Sequence, residues 1–332
     1  MDVHAFLADI WFAIVGLILA LYVILDGFDL GVGILTLFSR DEAERGIKMA
    51  TLGSVWDANE TWLVLLGGAL FGAFPLVYSV VLTGLYIPIM AMLFGLIFRA
   101  AAFEFRENAR RKQLWNIAFG AGSLLAALAQ GLALGAVIGG MDIEGDRFAG
   151  SVFACLAPFP IMVACGVVFG YVLLGSTYLI AKTTGDLQER SYAIARPAAW
   201  LTVAVGVGIS VWTPLHLPYV FEKWFGPHML ALAPLPLIAA VSFLLLLRSL
   251  AHRREVAPFV WSVLIFVSSL LGLAASLYPN IVPPAIGVHV AAASSNTLVF
   301  MLTGVGMLIP IMLIYNAYQY LVFRGKVTGS GY

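Results

Sequence analysis

Apolar residues dominate nine stretches of the chain: 10–38, 51–74, 76–98, 114–138, 152–180, 198–215, 228–247, 257–277 and 297–323. Each is close to the roughly 20 residues that a helix needs to cross a hydrocarbon core about 30 Å thick. The region 63–98 is too long for one crossing and is divided at Pro75. Short polar connections separate the stretches, the longest about 16 residues, and none has the size of a soluble domain. The pattern predicts an all-α polytopic membrane protein with nine transmembrane helices. Residues 1–140 would form a first four-helix unit and 141–280 a second. Residues 281–332 would add a peripheral ninth helix and the C-terminus.

Two of the apolar stretches carry acids. The first contains Leu25-Asp26-Gly27-Phe28-Asp29-Leu30-Gly31-Val32-Gly33, and the second opens with Trp56-Asp57-Ala58-Asn59-Glu60-Thr61-Trp62. Asp26 and Asp29 are three residues apart, as are Asp57 and Glu60, so each pair shares a helix face. A carboxylate at the centre of a bilayer costs about 2.5–3.5 kcal/mol on insertion scales, and four of them call for a functional reading.

Composition agrees with the membrane assignment: 61% of residues are hydrophobic and 11% charged, against about 25% charged in soluble domains. The formal net charge is zero and no basic run is interleaved with aromatics, so nothing points to a nucleic-acid partner. The first basic residue is Arg40, so the N-terminal apolar stretch lacks the basic start of a cleavable signal. Sixteen of the 18 Lys and Arg fall in the segments after spans one, three, five, seven and nine, Arg99 and Lys112 among them. The excess of cations marks the cytoplasmic side, which places the N-terminus outside and the C-terminus inside. Cys155 and Cys165 lie ten residues apart in one predicted helix, roughly 15 Å, too far to bridge.

With that orientation, Asp26 lies about 24 Å down span one, and Asp29 about 4 Å deeper. Asp57 and Glu60 lie about 9 and 13 Å into span two from the inner side. Both pairs fall in the inner half of the membrane. Consecutive antiparallel helices pack together, so the four acids are expected to converge on one polar pocket open to the cytoplasm. The alternative for Asp29 and Asp57 is an interfacial position, capping a helix or reaching headgroup water. Gly27, Gly31 and Gly33 allow a helix to approach closely, Trp56 and Trp62 suit an interfacial belt, and Asn59 can hydrogen-bond an acid or a neighbouring helix. His4, His216, His228, His252 and His289 all fall at span ends or in loops, so the chain offers no deep axial histidine to a haem. Met90, Met92, Met162, Met301 and Met307 read as packing. No metal-binding motif is present.

The residues resemble a known family. Asp26-Gly-Phe-Asp29-Leu-Gly-Val-Gly33, Trp56-Asp57-Ala-Asn-Glu-Thr-Trp62 and Gly67-Gly-Ala-Leu-Phe-Gly-Ala-Phe-Pro75 are similar to subunit II of the cytochrome bd-type quinol oxidases. Tyr78, the Phe98-Arg99 pair and Pro310…Tyr315 continue the likeness over the whole chain, and the compact loops suggest the cyanide-insensitive branch. The resemblance implies a bacterial inner-membrane complex that oxidises quinol at the outer face and reduces dioxygen to water. A partner, subunit I, would ligate the b- and d-type haems, and this chain would stabilise it as a heterodimer. It also implies a cytoplasmic proton path along the subunit interface. Asp57 would be its subunit II acid, Asp26, Asp29 and Glu60 would be nearby, and Trp56, Asn59, Gly27 and Gly31 would support them. Glu60 stands where some relatives carry an amide. Some members hold a structural quinone in this subunit, and the resemblance allows a small single-helix accessory subunit as a further partner. The rival from another class is a proton- or cation-coupled secondary transporter, which intramembrane acids also fit. Against it, the later spans lack polar residues at mid-depth.

Overall fold

A computed structural model of the chain describes residues 2–227 and 229–327. Helix α1 (Val3–Thr36) is capped by Asp2, whose carboxylate accepts from the His4 backbone N–H. The short α2 (Glu42–Ala50) begins at Asp41, which accepts from the backbone N–H of Glu44. Then come α3 (Trp56–Ala73), α4 (Pro75–Gly84), α5 (Tyr86–Phe105) and α6 (Lys112–Gly139). A two-strand hairpin, β1 (Ile143–Glu144) and β2 (Arg147–Phe148), and a 3₁₀ turn (Val152–Leu156) lead to α7 (Pro158–Lys182) and α8 (Gly185–His216). The second half continues through α9 (Pro218–Phe225), α10 (Met229–Leu232), α11 (Pro234–Ala251) and α12 (Ala257–Leu277). A second hairpin, β3 (Asn280–Val282) and β4 (Ile286–Gly287), and the short α13 (Val288–Ala291) precede α14 (Ser295–Val322). Proline opens α4, α7, α9 and α11, a position where its missing N–H costs nothing.

Among the described residues, eight helical segments are long and apolar enough to cross a membrane. Predicted span two corresponds to α3, which is not one of them, because its first two turns carry Asp57, Asn59, Glu60 and Thr61. Span three is interrupted after Gly84, so α4 is only ten residues long and α5 extends to Phe105. Span five starts at Pro158, which leaves Cys155 in the 3₁₀ turn and Cys165 in α7; both thiols are free. Residues 185–196, which connect predicted spans five and six, are the charged first part of α8. His228, named as a span end, lies outside the described residues.

The core is continuous between the two halves, because α7 packs on both α1 and α6. The α1–α7 contact is at backbone distance. A Cβ on Gly31 would lie 1.8 Å from the Tyr171 carbonyl oxygen, and one on Gly175 would lie 2.5 Å from the Gly31 carbonyl carbon. The small-residue contact expected of Gly31 is therefore present, and its partner is α7. Gly31→Ala is expected to force the two helices apart, at or above the roughly 1–3 kcal/mol of ordinary overpacking. The level of assembled protein in membranes would fall sharply, while Gly67→Ala, with nothing within 4 Å, would leave it unchanged.

Helix α14 closes the first half against α1 and α3. Trp11 Nε1 donates to the Leu298 carbonyl at 3.1 Å, and the Ala293 backbone N–H donates to the Ala73 carbonyl at 2.9 Å. At the other end the Gln319 amide donates to the Ser54 carbonyl. Helix α2 lies across this end. Lys48 reaches the Leu35 carbonyl at 2.9 Å and Glu44 at 2.8 Å, and Arg190 of α8 joins Glu44. Burial works against the charge of Glu44, but the hydrogen bond and charge of Lys48 outweigh it and hold the carboxyl below the usual glutamate range.

Candidate functional site: a buried cluster of acids around Arg99

Asp26 and Asp29 project from one face of α1 into the space bounded by α3 and α5. They are 1% and 0% exposed, which rules out the interfacial alternative for Asp29. The third member is Glu60, whose side chain is 23% exposed. The group that gathers them is Arg99 of α5. Its Nη1 lies 2.7 Å from Asp26 Oδ1 and 3.0 Å from Glu60 Oε1, and its Nη2 lies 3.6 Å from Asp29 Oδ2. Asn59, fully buried, donates through Nδ2 to Asp29 Oδ2 at 2.8 Å and accepts from the Tyr320 hydroxyl of α14 at 2.9 Å. Asn59 thus hydrogen-bonds both an acid and a neighbouring helix, and α14 joins the site through Tyr320.

One guanidinium faces three carboxyl groups, two of them buried. The desolvation of each buried charge is worth several kcal/mol, and a single cation cannot balance three anions. Asp26 Oδ2, Asp29 Oδ1 and two Arg99 nitrogens, Nε and Nη2, are buried without a hydrogen bond among the described residues. Such a cluster is unfinished as a structural ion pair. It is suited to taking up or passing on positive charge, because added protons relieve the excess of acids.

Asp57 is placed differently from the sequence-based expectation. The depth of 9 Å assumed a helix from residue 51, but residues 51–55 are turns and α3 begins at Trp56. Asp57 therefore lies in the first turn and is exposed. It lies on a stripe of exposed positions at helical spacing, Asp57, Thr61, Val64, Gly68 and Phe71, on a different face from Asn59. Glu60 borders both faces, touching Arg99 on one side and lying within electrostatic range of Asp57 on the other. Trp56 packs its ring on Phe103, with centroids 5.3 Å apart. Gly27 lies against Tyr171, where a Cβ would come within 2.7 Å of the ring.

Arg99 was the residue missed. Counted as the first basic residue of a cytoplasmic loop, it sits instead six residues inside α5, about 9 Å from its end, and is 1% exposed. It leaves the loop count that set the orientation. The signal was present: Ala100, Ala101, Ala102 and Phe103 continue the apolar pattern beyond it, and buried acids require a cation.

The model for the cytochrome bd terminal oxidase subunit II family matches residues 7–323. The chain belongs to that family. It is 30% identical over 358 residues to the cytochrome bd-I ubiquinol oxidase subunit 2 of Escherichia coli K12, covering 96% of this chain and 94% of that one. It is 29% identical over 335 residues to the cytochrome bd ubiquinol oxidase subunit 2 of Bacillus subtilis, covering 98% of each. In fold it matches a chain of the bd oxidase of Geobacillus thermodenitrificans with a TM-score of 0.75 and 18% identity, over 93% of this chain and 97% of that one. It is an integral membrane protein of the subunit II class. His4, His216, His252 and His289 sit at helix ends, each with a ring nitrogen engaged by a nearby oxygen. No group of three His, Cys, Asp or Glu among the described residues is placed to hold a metal.

Proposed function

We propose that this chain is the non-haem subunit of an inner-membrane quinol:dioxygen oxidoreductase. It pairs with a haem-bearing subunit I and brings cytoplasmic protons toward the site where dioxygen becomes water. The observation that carries the reading is the cluster itself: two buried carboxyls and the half-buried Glu60 on one arginine, with Glu60 linking the pair to a stripe of α3 that bears Asp57. An aspartate facing lipid would be costly, so this stripe is assigned to the face covered by subunit I. A proton would pass from Asp57 to Glu60 and on to the Asp26–Asp29–Arg99 cluster. Quinol is the electron donor, and the b- and d-type haems belong to the partner, as would any accessory helix; a structural quinone is compatible with the apolar core.

Charge separation follows without a pump. Electrons enter from quinol at the outer face, and protons for water enter from the cytoplasm. In this arrangement the chain crosses the membrane nine times, as two four-helix units plus α14. Its N-terminus is outside and its C-terminus inside. An impermeant thiol reagent applied to intact cells should leave a cysteine at position 112 unlabelled, and labelling there would overturn the orientation. Purification through a tag on this chain tests the function. A haem-bearing partner of similar size and quinol-dependent oxygen uptake should come with it, whereas a colourless chain purified alone would contradict the assignment.

A further inference from the structure

A second set of buried polar side chains joins α1, α6 and α7 one turn away from the acids. Gln130 Nε2 donates to the Tyr22 hydroxyl oxygen at 2.6 Å, and the Tyr171 hydroxyl donates to Gln130 Oε1 at 2.6 Å. Tyr22 and Tyr171 are 3% and 1% exposed. Tyr22 precedes Asp26 by four residues, which puts both on one face of α1. Its hydroxyl lies beside the Asp26 carboxylate. Asp26 Oδ1 already takes Arg99, while Oδ2 has no hydrogen bond. Tyr22 is the hydroxyl placed to reach it.

The direction of the Gln130 amide decides what Tyr22 can do. With Nε2 toward Tyr22, the phenol oxygen accepts from Gln130 and its own hydrogen is free to point at Asp26. With the amide reversed, Tyr22 would donate to Gln130 and turn its lone pairs on a carboxylate. Tyr171 would then hold a buried hydroxyl hydrogen with no acceptor, a loss of about 1–3 kcal/mol. The observed orientation is therefore fixed from both ends, and the Tyr171 ring is itself held against Gly27.

We propose that Gln130 is a positioning residue: held by Tyr171, it aims the Tyr22 hydroxyl at Asp26, so that this carboxyl meets Arg99 on one oxygen and a neutral donor on the other. The ionisable groups facing Asp26 are Arg99 from α5, Glu60 from α3, Asp29 and Tyr22 from α1, and Tyr171 from α7. Of these only Arg99 is a cation, and Tyr22 is the neutral donor that adds to it without adding charge. The assignment deepens the proton-uptake reading and rests on it for its role in turnover, but its structural content can be read separately.

The test is infrared spectroscopy of the purified complex in the carbonyl region of protonated carboxyl groups, on Tyr22→Phe and on Gln130→Met. Both variants should gain a protonated-carboxyl band that the unmodified complex lacks, and Asp26→Glu in the same background should move it. The pH profile of quinol-dependent oxygen uptake should shift with haem content unchanged. If Tyr22→Phe does not assemble, Gln130→Met carries the test alone, since it keeps both phenols. Two results overturn the proposal: no new band in an assembled variant, or a band in the unmodified complex that Asp26→Glu moves. A uniform drop in turnover with an unchanged pH profile would show mere packing and also counts against it. If the bands behave as expected while Asp29→Asn and Glu60→Gln turn over normally, the positioning role stands and proton uptake through the cluster falls.

Discussion

Replacing Arg99 by glutamine is expected to abolish accumulation of the protein. The substitution leaves Asp26 and Asp29 buried with no cation within reach, and Glu60 loses its 3.0 Å partner. Breaking a buried ion pair from one side costs about 3–5 kcal/mol, a large part of the 5–15 kcal/mol that holds a typical domain together. The control is the paired change Arg99→Gln with Asp26→Asn, which removes one charge of each sign. It should restore much of the lost protein, because Asn can still hydrogen-bond at position 26 while the unbalanced charge is gone. Immunoblots of membranes and haem content of the purified complex read both variants. Normal assembly of Arg99→Gln alone would show that the acids are not anions there and would remove the electrostatic basis of the site.

The second large effect is on turnover with assembly preserved. Glu60→Gln and Asp57→Asn each keep shape and much of the hydrogen bonding but cannot carry a proton. Neither is buried as Asp26 and Asp29 are, so both variants should assemble with normal haem. Quinol-dependent oxygen uptake should fall at least about a hundredfold, the low side of what a lost proton-transfer group costs. Asp57→Glu should keep more activity than Asp57→Asn. A purely structural Asp57 predicts the opposite order, since Asn near a helix N-terminus serves as well as Asp. Oxygen electrode traces normalised to haem content separate the two.

Much of this was legible in the sequence, and the particular failures have physical causes. Run length and hydropathy located the long helices, and α12 matches its predicted span, 257–277, at both ends. The acids were singled out because helix spacing and the cost of charge in hydrocarbon need no tertiary information. Boundaries failed where charged residues extend a helix beyond the apolar core, as at the start of α8. They also failed where turns interrupt an apolar run, as after Ala50 and Gly84. The shift at residues 51–55 moved Asp57 out of the cluster, since a few residues of non-helical chain change both depth and face. Arg99 was missed because the positive-inside rule counts cations near span ends without asking whether an acid lies opposite. Gln130, Tyr22, Tyr171 and Tyr320 were invisible for a different reason: single polar residues in apolar helices gain meaning only when the packing of α1, α6, α7 and α14 shows who faces whom.

The most direct test of proton uptake through the cluster is sided. The purified complex is reconstituted in vesicles so that the face bearing Lys112 meets the outer medium, and a pH dye in that medium is followed while quinol and oxygen are supplied. The unmodified complex should alkalinise the medium in proportion to oxygen consumed. Glu60→Gln should slow proton uptake and oxygen consumption together at unchanged haem content. Unchanged proton uptake and turnover in Glu60→Gln, with the complex intact, would contradict the account.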